Sequence, residues 1–145
     1  MMKKIIFLCI FLTGFGYADF TKNDGVITDS LTRLQWQDDY SDNAVQIKQS
    51  NWIDAIGYCE NLTLGSYADW RLPSITELGS IVDYSRKNPA ANGIFESINN
   101  GLFWTSTTLG SAIITHAWII DFDKGGQSNM GKTNILGVRC VRAGQ

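Results

Sequence analysis

Apolar and polar residues follow three different rhythms along this chain. The first is an almost unbroken apolar run, Ile5 to Phe15, behind Lys3 and Lys4. The second is helical. Trp52, Ala55, Ile56, Cys59 and Leu62 recur at three- and four-residue steps and predict a helix over 51–62 with one buried stripe. Asn51 is a favourable N-cap for it, and Asp54 sits where the positive end of a helix favours an anion. A second helix is predicted from Ser74 and Glu77, whose spacing is that of a capping box. Its apolar face would be Ile75, Leu78, Ile81 and Val82, and it should stop before Asn88-Pro89.

The third rhythm is that of strands. Phe20 to Asp39 reads as a β-hairpin, with Val26-Ile27-Thr28 and Leu34-Gln35-Trp36-Gln37 joined through the turn-like Asp29-Ser30-Leu31-Thr32. Leu102 to Thr108 is rich in aromatic and β-branched residues. Ala117 to Phe122 alternates, with Trp118, Ile120 and Phe122 on one face and Ile119 and Asp121 on the other. Asp123-Lys124-Gly125-Gly126 should turn this strand into a hairpin continuing through Gln127. Val138 to Arg142 reads as a final strand. Between these elements, Asp38 to Ser50 and Leu64 to Arg71 are polar and read as surface loops. Asp38, Asp39 and Asp42 fit a solvated acidic loop better than a calcium loop, which would carry a central Gly and a closing Glu. The order of a hairpin, two helices and several strands is an α+β pattern.

The opening segment is expected to be a signal peptide. A basic start, an apolar stretch about a dozen residues long and Gly16-Tyr17-Ala18 have the form that a signal peptidase reads, with cleavage after Ala18. Cys9 follows Leu8 inside the apolar run, so a lipoprotein is not indicated. Cleavage would leave 127 of 145 residues as one domain, 19–145, and take the formal charge from −2 to −4. No later run is long enough to span a membrane. The expected product is therefore extracytoplasmic, either periplasmic or secreted. With 44% apolar residues, five Trp and two Pro, it is a folding chain rather than a disordered one. Its acidic balance argues against a general nucleic-acid partner.

Cys59 and Cys140 remain after cleavage, and in an oxidising compartment such a pair reads as a disulfide. Thiols used for metal or redox chemistry are the alternative. The absence of a CxxC and the presence of a single histidine count against it.

Seven blocks of the sequence resemble the C-terminal domain family of the Legionella collagen-like adhesin. They are Gly25 to Asp29, Leu34 to Asp38, Trp52 to Cys59, Asp69 to Leu78, Phe103 to Thr107, Ala117-Trp118 and Val138 to Arg142. The run Asp69-Trp70-Arg71-Leu72-Pro73-Ser74, followed by Glu77-Leu78, is the most specific. The same blocks are distantly similar to the formylglycine-generating-enzyme group. That resemblance implies a C-type-lectin-like fold, with two helices packed on a twisted antiparallel sheet with long loops. It also implies a bond from a first-helix cysteine to the last strand.

These readings predict a binding or adhesion domain that recognises a carbohydrate or surface polymer. The alternatives are a structural or protein-interaction subunit of a surface assembly and, less favoured, an enzyme related to the formylglycine-generating group. Catalysis is not expected, nor is a cofactor or a bound metal. His116 has no serine partner, and Asp69, Glu77, Asp121 and Asp123 read as a loop acid, a cap, a strand-end acid and a turn acid. Lectin-like folds carry ligands on the loops before their last strands, here roughly 88–115. The candidate ligand residues there are Asn99, Asn100 and Trp104, although the block around Trp104 also reads as core. The same core reading extends to Trp36, Trp52, Trp70 and Trp118, and Arg71 is expected to pair with an acid. The resemblance implies sulfated glycosaminoglycans as ligands, which would need Arg86, Lys87, Lys124 and Lys132 to form a basic cluster. The Glu-Pro-Asn, Gln-Pro-Asp and Trp-Asn-Asp triplets of calcium-dependent sugar sites are absent. A glycan or cell-surface polymer and further copies of the chain are the partners this reading admits.

Overall fold

The computed structural model describes residues 19–99, 101–110 and 113–144. The expected signal peptide lies outside them. The chain starts with a three-stranded meander: β1 (Phe20–Asn23), β2 (Val26–Asp29) and β3 (Leu34–Gln37). The β2–β3 hairpin is as expected, and β1 is an addition. Asp24 and Gly25 close β1 onto β2 with φ of 47° and 74°, the left-handed pair that a tight hairpin turn requires. A side chain on Gly25 would also collide with Asp39, with a Cβ only 2.3 Å from that residue's own.

A 3₁₀ turn, Ser41–Asn43, and β4 (Gln49–Ser50) lead into α1 (Trp52–Asn61). Asn51 caps this helix as predicted, its side chain accepting from the Asp54 N–H at 3.0 Å. The segment 38–50 is less of a surface loop than its polarity suggests, because Asp38 and Tyr40 are buried. The helix α2 (Ile75–Gly79) starts at the predicted capping box, with both reciprocal bonds between Ser74 and Glu77 formed. It is shorter than its apolar spacing implies. Ser80 tightens the last turn by bonding to the carbonyls of Thr76 and Glu77, and Val82 instead bridges to Ala91.

The remaining strands are β5 (Leu102–Thr108), β6 (His116–Asp121), β7 (Gly126–Gly131), β8 (Leu136–Gly137) and β9 (Val141–Ala143). They divide between two sheets, ordered β1-β2-β3-β9 and β4-β8-β5-β6-β7. The first sheet is antiparallel throughout. The second contains one parallel pair, β5 with β8. The predicted final strand, 138–142, is thus split. Val138, Arg139 and Cys140 cross from one sheet to the other, and β9 completes the first sheet beside β3. The class is α+β, with two helices and two sheets.

Neighbouring residues on the central strands face opposite cores. Trp104, Ala117 and Ile119 pack with Ala55, Cys59, Leu62, Trp70 and Val138. Phe103, Ile120 and Phe122 pack with Leu78, Ile81, Phe95 and Ile98. Both faces of the five-stranded sheet are therefore covered, one by α1 and the other by α2 and the segment after it. The Cys59–Cys140 disulfide fastens α1 to the crossing segment, with Cα atoms 5.4 Å apart at a sequence separation of 81.

Candidate functional site

The inward residues of α1 are small, Ala55 and Cys59, and bring the helix close to the sheet. Its outer side carries Ile53, Asp54, Gly57 and Asn61. Beside that side runs the 42–48 segment, and the two enclose an open groove of about 710 Å³ lined by Asp42, Lys48, Ile53, Gly57, Tyr58 and Asn61. Gly57 forms part of its lining. A Cβ at this position would meet nothing within 4 Å.

Tyr58 is the aromatic wall. Its hydroxyl donates to Asp42 Oδ1 (3.2 Å) and accepts from Gln37 Nε2 (2.8 Å). The Lys48 ammonium stands 5.7 Å from the ring centroid. Burial pushes the phenol well above its ordinary pKa, and the Asp42 carboxylate pushes it further, so Tyr58 is a neutral hydrogen-bonding group at physiological pH. Gln37 is wholly buried, and its Oε1 accepts the Cys140 N–H at 3.2 Å. The ring is thereby tied to the backbone at the disulfide. The groove offers one aromatic ring, a carboxylate, an ammonium and the side-chain amide of Asn61, whose Nδ2 donates to the Gly57 carbonyl at 2.7 Å. That set suits hydroxyl-rich or mixed-charge ligands.

The residues singled out from the sequence are dispersed. Trp104 is corrected to a core residue. It has no solvent exposure and its Nε1 donates to the Ser50 carbonyl at 2.9 Å, so no face is open for stacking. Asn99 is exposed and borders a separate, smaller groove of about 430 Å³ with Gln46 and Gln49. Asn100 lies outside the described residues. Arg86, Lys87 and Lys124 are exposed at one end of β6. There the 83–90 loop leans on the β6–β7 turn, Asn88 N–H bonding the Asp123 carbonyl at 3.0 Å. Lys132 is at the other end of β6, past the His116–Gly131 pair. Five residues of strand, about 17 Å, separate the two ends, so the four cations do not form one cluster. Lys132 instead lies over the Trp52 ring, 4.2 Å from its centroid.

The acids have local partners. Asp69 binds Arg142 through both oxygens (2.6 and 3.0 Å), and the hydrogen bond to this guanidinium holds its carboxyl below the usual range. Glu77 pairs bidentately with Arg71 at 2.7 and 2.8 Å, the acid expected for that arginine, and is likewise held low by it. Asp121 accepts the Asp123 N–H. Asp38, Asp39 and Asp42 turn to three different partners, Arg139, the Ser41 N–H and Tyr58. Trp36 and Trp70 are core as expected, while Trp52 and Trp118 are only half-buried. Sequence reasoning missed the α1 groove. Its one signal was Gly57, a poor helix former inside a strongly patterned helix.

These features define a disulfide-tied α+β domain with an open groove beside its first helix. The chain matches the family model of the Lcl C-terminal domain over residues 25–142 and belongs to that family. No curated protein matches it. Among the described residues no helix is long and apolar enough to cross a membrane.

Proposed function

We propose that this chain is an exported, lectin-like binding domain that takes a carbohydrate or surface polymer in the groove beside α1. The observation that carries the reading is Gly57. Glycine inside a helix is destabilising by about 0.5–1 kcal/mol relative to alanine. Its φ is not in the left-handed region, and no neighbour would touch a Cβ there. Packing and backbone geometry do not require the glycine, and its missing side chain leaves the groove beside Tyr58 open. Tyr58 beside it supplies a π face and a neutral hydroxyl held in place, the combination that sugar rings use for stacking and hydrogen bonding.

Binding is favoured over catalysis by the state of the acids. Among the described carboxylates, those with displaced pKa, Asp69, Glu77 and Asp83, are all lowered by hydrogen bonds to partners. A general acid would need the opposite displacement. The disulfide and the family match favour an extracytoplasmic location.

The test is a panel of neutral and anionic oligosaccharides and cell-wall polymers, presented to the wild type and to Tyr58→Ala at two salt concentrations. The reading expects at least one ligand bound by the wild type and lost in Tyr58→Ala, with binding that survives higher salt. Binding abolished by salt and indifferent to Tyr58 would move recognition to the cations near the β6–β7 turn.

A further inference from the structure

The first sheet has one face that is not fully covered. Ile27 and Trp36 point into the core shared with Phe103. Thr28 and Gln35 therefore lie on the opposite face, both half-buried. Thr28 pairs with Gln35, and Gln35 with Arg142, in one row across β2, β3 and β9. The side chains of this row are bonded in series. The Arg142 guanidinium donates to Gln35 Oε1, and Gln35 Nε2 donates to Thr28 Oγ1 at 3.2 Å. Among the described residues nothing accepts the Thr28 O–H. The series thus ends in a hydroxyl that its neighbours polarise as a donor.

Two tight turns flank the row. One is Asp24-Gly25, between β1 and β2. The other is Leu64 to Tyr67. Its end residues exchange main-chain hydrogen bonds of 3.0 and 3.1 Å, while Gly65 and Ser66 take φ of 61° and 66°. A Cβ on Gly65 would stand 2.9 Å from Val26 Cγ2, so the glycine lets this turn close down on β2. The Tyr67 ring lies on the Arg142 guanidinium, 3.6 Å from its centroid, and stays partly exposed. Between the turns is a pocket of about 260 Å³. Val26, Thr28 and Gln35 form its floor, and Asn23, Asp24, Ser66 and Tyr67 its exposed rim. Among the described residues the four rim side chains have no hydrogen-bond partner.

We infer that this pocket is a second ligand site, which takes a single neutral sugar ring. It is smaller than the roughly 300–1,000 Å³ of pockets for drug-sized ligands, which suits one ring. Its polar groups differ in kind: a donor at Thr28, an acceptor at Asp24, and groups that do both at Asn23, Ser66 and Tyr67. Ligand hydroxyls also donate and accept, so a ring of adjacent hydroxyls matches the set and leaves Val26 and the Tyr67 ring for its C–H groups. An apolar ligand would bury these polar groups unpaired. An anion would meet Asp24 without a counter-charge. The lining holds no Lys or Arg, and Arg142 is already bound to Asp69 and Gln35. A cation would meet the Thr28 donor, and the Tyr67 ring already serves Arg142. The pocket shares no residue with the α1 groove, so the inference does not rest on the reading of that groove.

Amide NMR shifts of the isotope-labelled protein test the inference. The probes are glucose, galactose, mannose and N-acetylglucosamine, and separately sulfate and tetramethylammonium. The expected result is a saturable shift of amides in 23–28 and 64–67 with at least one sugar and with neither ion. Thr28→Val should weaken that binding roughly three- to tenfold through the loss of one hydrogen bond, and Thr28→Ser should restore it. Ser66→Gly suits the left-handed position, so it keeps the turn while removing a rim hydroxyl. It should weaken binding to a similar extent, and it decides the matter if Thr28→Val fails to fold. Shifts at these amides with an ion and no sugar, no shift with any probe, or sugar binding indifferent to the folded variants would overturn the inference. Sugar shifts confined to the α1 groove would overturn it too, while supporting the separate reading of that groove.

Discussion

Asp38 and Arg139 meet in the interior, 3.0 Å from Oδ1 to Nη1, with neither side chain reaching solvent. Around this pair the carboxylate also accepts the Glu96 and Ser97 N–H groups (both 3.1 Å) and the Lys22 ammonium (2.7 Å). The guanidinium donates to the carbonyls of Gln37 and Ser97 and lies against the Phe95 ring. One ion pair thus anchors the 95–98 segment to both β3 and the segment that crosses between the sheets.

Removing Asp38 leaves the Arg139 guanidinium buried without a counter-charge, which typically costs about 3–5 kcal/mol. Asp38→Ala should lower stability by that order, and Arg139→Ala by less, because Asp38 keeps its ion pair with Lys22. The double replacement Asp38→Leu with Arg139→Met should cost less than the sum of the singles, because it removes the charge altogether. Urea unfolding of the set checks this. Single variants with midpoints at the wild-type value would contradict the structural role assigned to the pair.

The Cys59–Cys140 bond closes a long loop, and loss of such a bond costs about 2–5 kcal/mol. Reduction, or the double replacement Cys59→Ala with Cys140→Ala, should produce a clear fall in melting temperature. It should also loosen the tether between Gln37 and the Cys140 N–H, so Tyr58 fluorescence or NMR shifts should change as well. Mass spectrometry of the oxidised protein should find both thiols blocked.

Tyr40 gives the stability an alkaline limit. Its hydroxyl donates to the Val138 carbonyl at 2.9 Å, and burial pushes its pKa up to about 12. The native state therefore favours the neutral phenol. That preference is fully present below the unfolded pKa of about 10 and is lost as pH rises from there through the folded value. Unfolding free energy should fall over that window, by on the order of 3 kcal/mol if Tyr40 acts alone. Tyr40→Phe should start lower, having lost a buried hydrogen bond, and decline less steeply. Tyr58, raised in the same direction, keeps part of the slope.

What the sequence made legible was local. The Asn51 cap and the Ser74–Glu77 box each lie within a few residues, where spacing dictates geometry, whereas the choice of Glu77 as the acid for Arg71 does not follow from the cap spacing. Asp24-Gly25 is also a hairpin signal, but Thr21-Lys22-Asn23 before it offers no apolar alternation to mark β1. Asp38 looked like a solvated acid because its partner, Arg139, is 101 residues away. The scatter of Arg86, Lys87, Lys124 and Lys132 follows from the length of β6, which no spacing of cations encodes. Trp104 became core because strand alternation sends it towards α1 and Phe103 towards α2, each into a covered face. The α1 groove could not be foreseen because its far wall, Asp42 and Lys48, belongs to a segment without apolar pattern.

The most direct measurement of the groove's role compares Gly57→Ala with Gly57→Leu, for thermal stability and for binding to whichever oligosaccharide or polymer the wild type retains. Both replacements favour the helix, so both variants should melt at or above the wild type, Gly57→Ala by about 0.5–1 kcal/mol. Gly57→Leu, whose side chain enters the groove, should lose most of the affinity while remaining folded. A stable Gly57→Leu variant that binds as tightly as the wild type would contradict the account.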